Sequence, residues 1–153
     1  MDFSRLHRSE YIGFAGAAVL LLSLFLPWFA TKEGSLGRIN GKAGEFNAFD
    51  TFGVLDWLLV AACLAPFILA YIILRGNELS WRPGEVTMIV GMIAFALILL
   101  NGLILGKPGE PPSETSFRVG WFVGLLGATM IMVGGFARQN VGGRTRKPPG
   151  AVN

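Results

Sequence analysis

Residues 119–136 read VGWFVGLLGATMIMVGGF, a run without a single charge, introduced by Phe117 and Arg118 and followed by Arg138. At about 1.5 Å per residue it is close to what a helix needs to cross a hydrocarbon core about 30 Å thick. Inside such a core every backbone N–H and C=O has to be satisfied within the segment, so a helix is the form to expect. Within the run Gly120, Gly124 and Ala128 recur every four residues, and Gly127 borders the same face. Small residues at that spacing let another helix backbone approach closely, whether from this chain or from another protein. Met130 lies off the stripe by helical spacing. Gly13 with Ala17, and Gly102 with Gly106, repeat the spacing more briefly.

Three further runs of similar length lie upstream, at 11–30, 55–74 and 86–105. The first follows Arg5, His7 and Arg8, as a signal peptide would, but its far end carries Leu26, Pro27, Trp28 and Phe29 where a cleavage site wants small residues. It reads as a retained helix whose exit at the interface is marked by Pro27 and Trp28. Asp50 is placed to cap a first turn containing Phe49 and Phe52 ahead of the second run. Pro83 and Glu85 suit the start of the third. Pro66 should bend the second helix, because it removes one backbone hydrogen bond. The fold class expected is all-α: a polytopic membrane protein with four transmembrane helices in a bundle. It would carry a short N-terminal segment (1–10), a Gly-rich outer loop (31–54) and a basic, disordered tail (137–153).

Composition agrees and also excludes. Hydrophobic residues make up 52% of the chain and charged residues 15%, against about 25% charged in soluble domains. His7 is the only histidine and Cys63 the only cysteine, so one chain cannot build a bis-histidine haem site, a disulfide or a CxxC pair. No cofactor is expected. With four spans, one side holds Arg5, Arg8, Arg75, Arg82, Arg138, Arg144, Arg146 and Lys147, and the other Lys32, Arg38, Lys42, Lys107 and Arg118. Glu33, Glu45, Asp50, Asp56, Glu110 and Glu114 fall on the second side, which sharpens the contrast. The excess of basic residues puts both termini in the cytoplasm.

Two features invite a functional reading. GRINGKA at 37–43 looks briefly like a phosphate-binding loop, but Leu36 stands at its first Gly position and Ala43 replaces the hydroxyl that would hold magnesium. Gly34, Gly37, Gly41 and Gly44 are read as flexible loop residues. Ionisable and polar groups inside a bilayer are the usual markers of transport, and here the candidates are Asp56, at the outer edge of the second helix, and Asn101, placed to hydrogen-bond across to a neighbour. A faint repeat pairs Glu10 and Gly16 with Glu85 and Gly91, which fits either two parallel hairpins or chance likeness between apolar segments.

The strings RSEYIGFAGAAVLLLSLFLPWF (8–29), NAFDTFGVLDWLL (47–59) and GWFVGLLGATMIMVGGF (120–136) resemble a group of small four-helix integral membrane proteins of actinobacteria and their relatives. In that group a first helix ending in FLPW is followed by an aromatic, Asp-bearing start to the second helix and a Gly-rich fourth. The resemblance implies a bacterial inner (plasma) membrane and brings no catalytic residues with it. The expected function is a non-catalytic membrane component, an accessory or scaffold subunit of a larger complex and not an enzyme. A small-solute or proton-coupled transporter acting as an oligomer is the alternative, although it wants a mid-membrane acid. A lipid- or quinone-directed enzyme would need Asp50, Asp56, Lys107, Glu114 and Arg118 to converge on the outer face. The partners expected are the lipid bilayer, other membrane subunits or a second copy, and no nucleic acid.

Overall fold

The computed structural model describes residues 8–34, 36–75 and 83–142. Arg5, His7, Glu78, Arg82 and the tail from residue 143 lie outside the described residues. The elements in chain order are α1 (Arg8–Ser23), β1 (Phe29–Thr31), β2 (Glu45–Phe46), α2 (Ala48–Thr51), α3 (Leu55–Leu74), α4 (Pro83–Leu99), a π-turn (Leu100–Ile104), a 3-10 turn (Pro112–Glu114), β3 (Thr115–Phe117) and α5 (Val119–Gly142). The chain is mostly helical. Three helical segments, Leu55–Leu74, Gly84–Ile104 and Val119–Asn140, are long and apolar enough to cross a membrane.

The first run departs from the sequence expectation. α1 stops at Ser23, and the amides of Leu24, Phe25 and Leu26 bond to Leu21, Leu22 and Ser23 in a tightened last turn. Pro27 cannot donate to a helix and pushes the residue before it toward extended backbone, so the chain turns there. Phe29, Ala30 and Thr31 then form a strand, which corrects both the span 11–30 and the purely α-helical class. Strand order is β2-β1-β3, all antiparallel, with Phe29 opposite both Phe46 and Phe117. Trp28 is 0% exposed, and its indole N–H donates to the Ser23 carbonyl at 2.7 Å.

The loop around the sheet is built and specific. Ile39 and Lys42 exchange backbone hydrogen bonds of 2.9 and 3.0 Å around Asn40 and Gly41, both at positive φ (51° and 77°). That is the two-residue hairpin turn for which Asn-Gly is the favoured pair, so the phosphate-loop look-alike is a β-turn. α2 is capped by Asn47, whose side chain accepts from the Asp50 amide at 2.9 Å, and not by Asp50 itself. Phe52 packs edge-on to Trp28 and Phe29, and Phe117 lies 4.6 Å from Trp121. These rings join the sheet to the ends of the helices.

In the bundle, α5 lies between α1 and α4 and packs closely on both; α3 touches α1 and α4 more lightly. α3 runs unbroken through Pro66 over the span read from sequence. α4 ends in a π-turn in which the Leu105 amide bonds to the Leu100 carbonyl at 2.8 Å. α5 continues past the apolar run, so residues 137–142 belong to a helix and not to the tail.

Candidate functional site

Glycine decides where the helices meet. A Cβ added at Gly127 would lie 2.5 Å from the Leu20 backbone nitrogen, and one at Gly134 would lie 2.7 Å from the Gly13 nitrogen. On the other side of α5, a Cβ at Gly91 would collide with the Met132 backbone, and one at Gly84 would fall 2.7 Å from the Gly135 carbonyl. Ala128 is fully buried, and its carbonyl borders Gly91. Gly120 and Gly124 take a different partner: a Cβ on either would strike the Trp28 ring, at 2.9 Å in the case of Gly124. The first half of the stripe is therefore a seat for an indole, and the second half is a helix crossing. Met130 is not off the contact surface, since its Cβ borders Gly16.

The polar candidates turn inward on their own helices. Asp56 is 4% exposed, and its carboxylate accepts from the Trp57 amide at 3.0 Å. Asn101, inside the π-turn, donates to the Leu97 carbonyl at 3.1 Å, which is a bond within its own helix and not across to a neighbour. Ser23 and Thr129 likewise bond to the carbonyls of Leu20 and Leu125. At the sheet end of the bundle, Arg118 and Lys107 find separate partners. Arg118 pairs with Glu45 at 3.4 Å, Lys107 donates to the Thr115 carbonyl beside the Phe117 ring, and the Asp50 carbonyl accepts from Asn40. Among the described residues no three of His, Cys, Asp and Glu come together.

Two concavities lie between the helices. At the end of the bundle where α1 and α4 begin, a narrow crevice of about 20 Å³, room for about one water, lies between Ser9, Glu10, Gly13 and Phe14 of α1, Pro66, Leu69, Ala70 and Ile73 of α3, Gly84 and Thr87 of α4, and Gly134, Gly135 and Arg138 of α5. Its walls are mostly apolar; its charges are Glu10 and Arg138, whose Oε1 and Nε stand 3.5 Å apart with side chains 12% and 26% exposed. The second is an open groove of about 430 Å³ along the α3–α4 seam, lined by Leu58, Ala61, Ala62, Ala65, Val90, Ile93, Ala94 and Leu97.

The sequence marks Glu10 as an acid at a helix start and as part of a faint repeat with Gly16, and assigns Arg138 to a tail. The signal for the crevice was the pair Gly134-Gly135 one turn before a lone Arg. Comparison with protein-family models, with curated proteins and with solved structures finds no match.

Proposed function

We propose that the protein is a non-catalytic accessory or scaffold subunit of a larger membrane complex in a bacterial plasma membrane, with four spans and both termini in the cytoplasm. α1 serves as the fourth span. It is only 16 residues long, yet from Gly13 to Pro27 its path runs beside α5 from Gly134 to Gly120, and α5 is itself long enough to span.

The observation that carries the subunit reading is the α3–α4 groove. Lipid tails are as apolar as Leu side chains, so membrane helices associate through close packing, and small residues mark where they do so. α1, α5 and α4 are closed on one another by glycine, whereas the seam beside α3 stays open, lined by Ala61, Ala62, Ala65 and Ala94 and by alkyl side chains. A helix of a second membrane protein seated there completes the packing. Ser23, Asp56, Asn101 and Thr129 bond within their own helices, which speaks against the transporter alternative.

A photoreactive residue in place of Ile93, in the groove, and another in place of Leu126, exposed on α5, test this in native membranes. Ile93 should give one discrete heavier adduct and Leu126 none, and Ala61→Trp should reduce the size of the native complex. Identical adduct patterns at the two positions would contradict the proposal.

A further inference from the structure

We propose that the exposed face of the α1–α3 pair, at the end of the bundle where α1 begins and α3 ends, holds the headgroup of an anionic phospholipid, with Arg75 as the phosphate-binding residue. The Arg75 guanidinium lies over the Tyr71 ring, 4.9 Å from its centroid. Stacking of this kind uses the flat face of the guanidinium and leaves its five in-plane N–H donors to an acceptor alongside. That planar fork matches a phosphate. Arg75 is exposed and makes no ion pair among the described residues. The charge on this face is not cancelled either. Arg8, the first residue of α1, is exposed at the same end, and the acids of the two helices are occupied or remote: Glu10 faces Arg138 of α5 at 3.5 Å, and Asp56 lies at the opposite end of α3.

The surroundings favour a lipid over a free phosphate. Phe67, Tyr71 and Arg75 follow one another every four residues, so they share one face of α3. Phe14 of α1 stacks on Phe67 at 5.1 Å and meets Tyr11 edge-on at 6.1 Å. Tyr11, Phe67 and Tyr71 are all exposed, which leaves a row of rings for an acyl chain to lie along. Arg75 directly follows the apolar span Leu55–Leu74, so its guanidinium stands at the level of the headgroups. Tyr11 and Tyr71 are the only tyrosines of the chain, and both sit at this end, as rings with a polar tip do at a membrane–water boundary. Basic residues just beyond a span attract anionic headgroups. The site requires that α3 span the membrane but is independent of what fills the α3–α4 groove, so the adduct experiment and the lipid titration fail separately.

The test uses the full chain, purified and delipidated in a neutral detergent, with thermal unfolding followed as phosphatidylglycerol, phosphatidylcholine or inorganic phosphate is added. Phosphatidylglycerol should raise Tm by several degrees, and the other two should not. Arg75→Gln should shift the phosphatidylglycerol titration about tenfold toward weaker binding, while Arg118→Gln, which removes an Arg at the sheet end, should leave it in place. Tyr71→Leu should weaken binding, and Tyr71→Phe, which keeps the ring under the guanidinium, should restore it. Undiminished binding in Arg75→Gln, or an equal loss in Arg118→Gln, would overturn the site. Equal affinities in Tyr71→Leu and Tyr71→Phe would overturn the part given to the ring. Equal stabilisation by phosphatidylcholine or by inorganic phosphate would overturn the choice of ligand.

Discussion

Gly124 shows how much one absent side chain holds in place. The space its missing Cβ leaves is filled by the Trp28 ring at 2.9 Å and the Ser23 hydroxyl at 3.2 Å. Trp28 in turn closes the end of α1 through its bond to the Ser23 carbonyl. Gly124→Leu keeps α5 apolar, so membrane insertion should be unchanged, but it overpacks a fully buried indole and should destabilise the protein by about 1–3 kcal/mol. Leu126→Met, on the exposed face of the same helix, should be nearly neutral. Thermal unfolding in detergent separates the two, and equal Tm values would show that the stripe faces lipid. Trp28→Phe keeps a ring but loses the hydrogen bond to Ser23, with an expected loss of about 1 kcal/mol beyond the packing change.

The elements differ in how far the sequence announced them. α3 was legible end to end, because a continuous apolar run between Val54 and Arg75 admits one reading. α1 was not, because Phe29 and Ala30 are as apolar as the helix before them. What makes them strand is pairing with Phe46 and Phe117, far away along the chain, and local hydropathy does not carry that information. The stripe on α5 was visible as a pattern, but not that half of it would seat an indole. The end of α5 was hidden for a similar reason. Arg138 and Gln139 look like the polar exit of a span, yet the helix continues because Arg138 finds Glu10 on α1 and Gln139 reaches Met88 on α4 at 3.7 Å.

The tie between α1 and α5 should therefore be measurable. Removing either charge alone should cost roughly 1–3 kcal/mol, between the exposed and buried limits for ion pairs, and removing both should cost less than the sum. Additive losses in a double-mutant cycle would mean that the pair contributes no coupling. At the sheet end of the bundle, Gly102→Ala should also destabilise, since its Cβ would fall 2.6 Å from Trp121 Nε1.

On the scale of the whole molecule, a glycine-sealed slab of α1, α5 and α4 carries α3 along one side. A small sheet, tied down by Trp28, Phe52, Phe117 and Trp121, closes one end. The sheet joins residues 29–31 to 45–46 and 115–117, so Lys42 and Ser113 belong to the same end of the bundle, while Arg8 and Asn140 mark the other. If α1 is the fourth span and the basic side is cytoplasmic, these two ends lie on opposite faces of the membrane. Single cysteines at Arg8, Lys42, Ser113 and Asn140, each in a Cys63→Ser background, read this out in intact cells with a membrane-impermeant thiol reagent. The account predicts labelling at Lys42→Cys and Ser113→Cys and protection at Arg8→Cys and Asn140→Cys until the cells are opened. Labelling of Arg8→Cys together with Lys42→Cys in intact cells would contradict it, because α1 would then not cross the membrane.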